Sequence, residues 1–445
     1  MTTPPMGGDV MTPTGQAGSG SMMNEKPGEP PPMKDCTPVA WDNPGKVGAV
    51  TLKEIPADAG EKMRPFESIK PLKDYDYEWK EFLFTSTSPA YTSRLMVKKP
   101  RDPAKFSGTV FVEWYNVSGG IDFAVLWANS WEYFMREGHV FVGVSAQSGG
   151  AQALKSMADA KRYAEVNLTN DSIANTVFSQ AGAAIKLQTE TLLGPCMPVK
   201  ALIAGGQSQS SARLGPYLNT TQPKDKVFDG MFLHSGSEPS SNNPAIPTFV
   251  VFTMSEGNGR LMDGTNMVEW MVAGATHNDA RVTQRGSEIG EVVGVPNIEC
   301  ANPLNEYPSY RVYNAALDHL HHWVREGKKP PAGMPFQMRG SQLATDEHMN
   351  ALGGIRTADI DVPISTHGFN NGPKTPGDFV AVLACGLGGE EIPFTPQKLM
   401  SLYPTHDDYV TKYTAAADKA VQGGYWLKED RDEAVKIAQA APIPK

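Results

Sequence analysis

No apolar run among the 445 residues approaches the ~18 that a membrane-spanning helix requires, so the sequence offers no candidate span. No block of basic residues offsets the formal net charge of -9, which argues against a nucleic-acid or anionic-membrane surface as partner. Cysteine is scarce: Cys36, Cys196, Cys300 and Cys385 lie far apart with no C-x-x-C spacing. Neither a zinc site nor a redox pair is therefore expected, while two long-range disulfides and four free thiols both fit. Aromatic residues are missing from positions 1–35, which hold seven prolines and six glycines. Such a composition buries too little surface to offset its ordering entropy, and residues 1–40 read as a disordered Gly/Pro-rich tail. That tail lacks the charged start and apolar core of a signal peptide. Heptads and internal repeats are also absent.

What is present is an ordinary globular composition, 40% hydrophobic and 20% charged, punctuated as alternating strands and helices over residues 41–445. "GTVFVEWYN" (108–116) is β-branched and aromatic between glycines, as a buried strand should be. "IDFAVLWANSWEYFMREG" spaces its apolar residues by three and four and stops on Gly138, which predicts an amphipathic helix. "HVFVGVSAQ" (139–147), "VKALIAGG" (199–206), "VFDGMFLH", "TFVVFTMSE" and "VEWMVAG" read as further strands. Helices are expected over "SIANTVFSQAGAAIKLQTETLLG", "SSARLGPYLN" and "YRVYNAALDHLHHWVREGKK", with a last helical stretch from Asp408. This alternation predicts an α/β fold, a mostly parallel sheet covered by helices on both faces. The connection "SGSEPSSNNPAI" is too short for a cap domain, so a lid would come from 149–176 or from the region after His277. Residues 278–445 read as an elaboration of the same core.

The stretch "LIAGGQSQSSARLG" (202–215) places Ser208 after a strand and before a helix, with Gly206 two before it and Ser210 two after. A strand-to-helix turn this tight strains the central residue and crowds the positions two either side, which must be small. The usual G-x-S-x-G pattern has serine at the last place here. A helix N-cap is the plainer reading of one such serine. Two later strand ends change the balance: "TFVVFTMSEGN" ends with Glu256, and "VEWMVAGATHND" ends with His277. Serine, acid and histidine in that order, past successive strands, is the arrangement of α/β-hydrolases. Ser208 would then be nucleophile, His277 base and acid in turn, and Glu256 the group that orients the imidazole.

The segments "VEWYNVSGG", "FVGVSAQ", "GGQSQSS", "TMSEGN", "VAGATHND", "ALGGIRTADIDVP" and "LMSLYPTHDDYV" together resemble the bacterial alpha/beta hydrolase domain-containing serine hydrolases, long and often exported. The likeness runs from about residue 45 to 440. It implies the α/β-hydrolase fold with Ser208, Glu256 and His277 as its triad. Asn258 stands where the family pattern often has Asp, which favours Glu256 as the acid; Asp263 is the rival. The backbone N–H of Gln209 is the expected first oxyanion donor, with Asn116 or Val117 in "YNVSGG" as the second. Tyr115 and Ser118 would line the mouth.

Other residues weigh less. His234 is a competing base that would break the chain order, and His139 has a structural role. His319, His321 and His322 lack the i, i+4 spacing of a helical metal pair. "TGQAGSG" has neither the lysine nor the helix of a phosphate loop. The expected activity is hydrolysis of a small-molecule carboxylic ester, with no cofactor or metal. A lactonase, thioesterase or peptidase using the same triad is the alternative, and a catalytically silent binding module the more distant one. A secreted or periplasmic location is expected, and oligomeric state stays open.

Overall fold

A computed structural model of the chain describes residues 36–37, 39–41, 46–56, 70–236, 239–293, 298–375 and 379–443. The expected tail over 1–40 lies outside the described residues except at its end. There Cys36 is bonded to Cys196, so the compact unit runs from Cys36 to Lys445. Trp41 adds a hydrogen bond from its Nε1 to Lys226 O at 3.2 Å.

Nine strands form one sheet among the described residues. They are β1 (Thr51–Ile55), β2 (Tyr77–Thr87), β3 (Ala90–Pro100), β4 (Thr109–Trp114), β5 (Val140–Val144), β6 (Ala201–Gln207), β7 (Gly230–His234), β8 (Thr248–Phe252) and β9 (Met267–Met271). Their spatial order is β1-β2-β3-β5-β4-β6-β7-β8-β9. The pairs from β5 through β9 are parallel, and β1–β3 are joined antiparallel at one edge. The eight longer helices are α1 (Val125–Arg136), α2 (Ala174–Leu187), α3 (Gln209–Thr220), α4 (Ala280–Val293), α5 (Tyr310–Glu326), α6 (Phe379–Gly388), α7 (His406–Gln422) and α8 (Lys428–Ala440).

Side chains alternate along a strand, and β4 displays the consequence. Phe111 packs against Phe134 of α1 at 5.0 Å between ring centroids, while Trp114, on the other face, packs against Phe178 of α2 at 4.9 Å. Helices therefore cover both faces, as the sequence pattern predicts. The chain leaves β4 for β5 on one side and returns to β6 on the other. This reversal opens a crevice beyond the carboxyl ends of β4 and β6, where open α/β sheets bind ligands.

Strands β2 and β3 were not foreseen, because their sequences look polar. In β3 the charged residues are buried. Arg94 Nη1 and Nη2 lie 3.2 Å from Glu81 and 3.4 Å from Asp122, all three sealed from solvent. The Lys98 ammonium lies over the Trp127 ring, 4.1 Å from its centroid. Cross-strand charge pairing and ring contact thus disguise a core strand as a surface one. Helix α1 begins at Val125 rather than near Ile121, because Phe123 is bridged to Asn116. Its first turn is capped from the sheet: the buried Glu113 carboxylate accepts from Leu126 N at 2.9 Å and Trp127 N at 3.3 Å. Helices α4 and α6 were also unforeseen; "FVAVLACGLGG" reads as a short apolar run and folds as α6.

The stop at Gly138 has a steric cause. Its φ is +70°, and a Cβ there would sit 1.9 Å from Lys105 O. Backbone strain and the forced displacement of a backbone carbonyl together should make Gly138→Ala less stable by about 2–4 kcal/mol. A urea denaturation midpoint unchanged from wild type would contradict this account.

Candidate active site

Ser208 occupies the junction of β6 and α3 with φ 58° and ψ -119°, a positive-φ conformation that non-glycine residues seldom adopt. Such strain costs about 1–3 kcal/mol and persists where the surroundings over-determine it. Here Ser208 N donates to His234 O at 2.9 Å, and Ser208 O accepts from Ala212 N at 2.8 Å. The positions two either side touch, as the tight turn demands. A Cβ on Gly206 would lie 2.8 Å from Ser210 Oγ. Ser210 is itself used, its Oγ accepting from Gln207 N at 3.1 Å and donating to Gln207 O at 2.9 Å.

The loops after β8 and β9 bring Glu256 and His277 to this turn. His277 Nε2 is 2.8 Å from Ser208 Oγ, and His277 Nδ1 is 2.5 Å from Glu256 Oε1. The second carboxylate oxygen, Oε2, accepts from Thr253 Oγ1 at 2.6 Å and Thr253 N at 3.2 Å. Burial opposes ionisation of Glu256, but its hydrogen bonds from His277 and Thr253 outweigh that and hold the carboxyl below its ordinary range. An ionised acceptor at Nδ1 leaves Nε2 to accept the serine proton. The geometry is that of an activated hydroxyl, a base and an orienting anion.

The rivals take no part in this relay. Asp263 is exposed and its Oδ1 accepts from Glu269 N at 2.8 Å. His234 is wholly buried, with its ring 4.3 Å from that of Tyr313 and neither ring nitrogen hydrogen-bonded among the described residues. His139 bonds Ser107 and Tyr133. His319, His321 and His322 turn to separate partners, Gly424 O, Thr109 Oγ1 and Glu326.

On the oxyanion side, Gln209 opens α3, where the first backbone N–H groups have no partner within the helix. Of the two expected second donors, Asn116 is corrected: its N–H is spent on Phe123 O at 3.0 Å. Its side chain has another use, Nδ2 donating to Gln207 O at 2.9 Å and Oδ1 accepting from Ser118 N at 2.8 Å. Val117, the next residue, is half-buried, and Ser118 is exposed. Tyr115 is corrected as a lining residue. It is 1% exposed, lies under the Arg94 guanidinium and packs its hydroxyl where a Cβ on Gly143 would be.

Three participants escaped the sequence reading. Gln207 donates from Nε2 to His277 O at 3.0 Å, tying the histidine loop to the serine turn. Gln147, at the end of β5, accepts from Gln209 Nε2 at 3.0 Å and Trp114 Nε1 at 2.9 Å. Thr253 holds Glu256 from three residues before it, a spacing that could have flagged it. A cavity of about 610 Å³ walled by Cys36, Trp41, Lys186 and Cys196 contains none of these residues.

Burial pushes the His234 imidazole down to about 3, with repulsion from His277 adding to it and Glu256 opposing. A histidine whose folded value lies below its unfolded 6.5 binds fewer protons folded than unfolded between those limits, so stability falls as pH drops through that window. This group alone should remove about 2 kcal/mol between pH 7.5 and pH 5. His234→Leu should flatten that part of the pH–stability curve; an equally steep curve would show that His234 titrates normally.

A solved structure of esterase Est22 is 11% identical, covering 42% of this chain and 66% of its own, with a TM-score of 0.30. A fungal esterase from Rhizomucor miehei is 12% identical over 49% of this chain and 82% of its own, with a TM-score of 0.32. Prolyl oligopeptidase B from Galerina marginata is 10% identical over 42% of this chain and 29% of its own, with a TM-score of 0.25. No curated protein matches the chain. The model of one family, described as alpha/beta hydrolase domain, matches residues 56–436. With nearly the whole described domain inside that match, the chain belongs to the alpha/beta hydrolase domain family.

Proposed function

We propose that the chain is a serine hydrolase of carboxylic esters working through an acyl-enzyme on Ser208. The observation that carries this reading is the unbroken hydrogen-bonded relay from Ser208 Oγ through His277 to Glu256. His277 Nε2 takes the Ser208 proton as Oγ bonds the ester carbonyl carbon. The oxyanion lies against the N–H groups of Gln209 and Val117, at the amino end of α3. Collapse breaks the bond to the alcohol, which leaves with the proton from His277. Water then gives a proton to the same nitrogen and bonds the acyl carbon, and the Ser208 ester breaks to release the acid and restore the hydroxyl. Glu256 stays ionised throughout and steadies the imidazolium. Nucleophile, base and oxyanion donors all come from the chain, so the cycle calls on no cofactor.

Esters are favoured over amides because an alkoxide departs more readily than an amide nitrogen. The two disulfides, Cys36–Cys196 and Cys300–Cys385, favour work in an oxidising compartment, secreted or periplasmic. No helix among the described residues is long and apolar enough to cross a membrane.

A fluorophosphonate should label wild type and not Ser208→Ala, and the variant should lose about 10⁴-fold or more in turnover of p-nitrophenyl acetate. Unlabelled wild-type protein would overturn the proposal. Glu256→Gln should lower kcat by about 10⁴-fold while Asp263→Asn keeps it near wild type. Equal mild losses in both would refute Glu256 as the orienting acid.

A further inference from the structure

A cavity of about 280 Å³ has Asn278, the residue after His277, in its wall. Phe123, Asn278, Val282, Gly286, Leu304 and Ala384 are among its walls, and none of its lining side chains carries a charge. Four segments meet there: the loop after β4, the stretch from Asn278 through helix α4, residues 298–304, and helix α6. Two of them adjoin the reacting groups. Asn278 follows His277, and its N–H donates to Leu387 O of α6 at 2.9 Å. Phe123 exchanges both backbone hydrogen bonds with Asn116, the neighbour of Val117. The other two walls are joined by the Cys300–Cys385 disulfide.

An uncharged, largely apolar wall gains from covering hydrocarbon, about 25 cal/mol per Å² removed from water. A charged arm placed there would lose its hydration without a partner. A methylene fills roughly the ~30 Å³ share of one water, so the space suits about six to eight carbons once packing gaps are allowed for. The acyl group stays joined to Ser208 while the alcohol leaves, so a cross-linked recess beside the histidine loop suits the arm that remains. We infer that this cavity holds the acyl chain of a medium-chain ester, and that Gly286 sets the chain length it accepts. The inference rests on the ester-hydrolase reading above.

Gly286 makes this testable. A Cβ built there meets nothing within 4 Å, so a larger side chain enters open space. In the interior of α4, replacing glycine also favours the helix, and the variants should fold. The ratio of kcat/KM for p-nitrophenyl octanoate to that for the acetate should fall about tenfold or more in Gly286→Leu and less in Gly286→Ala. Calorimetry with sodium octanoate should show binding to wild type that weakens in the same order. An unchanged ratio, an equal loss on both esters, or a shift that follows the alcohol in a series of acetates would overturn the assignment. Fluorophosphonate labelling separates the two readings. Labelled variants with an unshifted profile overturn the cavity alone. Unlabelled wild type overturns the role of Ser208, and absence of octanoate binding then overturns the cavity as well.

Discussion

The turn at Ser208 is the constraint around which the rest is arranged. A hydroxyl that stands clear of a parallel sheet requires a reversal from strand to helix within one residue, and only a positive-φ backbone achieves it. That strain must be held from several sides. The β7 backbone holds it through His234 O, the helix through Ala212 N, and the mutual contact of Gly206 and Ser210 leaves no room for larger residues. Once the turn is held, the amino end of α3 necessarily faces the same point as the serine hydroxyl, which favours an anion there.

Three loops then have to agree with that point, and each is tied to it by a side-chain amide. Asn116 fastens the loop after β4 to the Gln207 carbonyl, and Gln207 in turn fastens the loop after β9 through the His277 carbonyl. Gln209 reaches Gln147 at the end of β5. These amides carry no charge, so they position the site without competing with Glu256 for the imidazole. The C-terminal region joins the same assembly, since α6 hydrogen-bonds the residue after His277. A helix late in the chain is thereby tied to the loop that carries His277.

Much of this was legible beforehand. The strands from β4 to β9 are short apolar runs, most of them rich in β-branched or aromatic residues, and such local signals survive without knowledge of neighbours. Ser208, Glu256 and His277 were legible for the same reason, each standing just past a strand end in a fixed order. Strands β2 and β3 were not, because their buried charges are paired with each other across the two strands and with Asp122 and aromatic rings further along the chain. Tyr115 and Asn116 were misread because facing direction and spent hydrogen bonds depend on the partner strand and on Phe123, which spacing does not reveal.

By itself, then, the sequence determined the alternation of strands and helices, the strained turn and the three residues that follow strand ends, since these rest on side-chain period and on local sterics. The tertiary structure decided which histidine faces the serine, which acid faces that histidine and which backbone N–H groups are left unspent. The reason is physical. Hydrogen bonds form over about 3 Å, and the pairs that join the separate loops of this site lie 21 to 91 residues apart along the chain. Only the packing of the sheet brings them within reach.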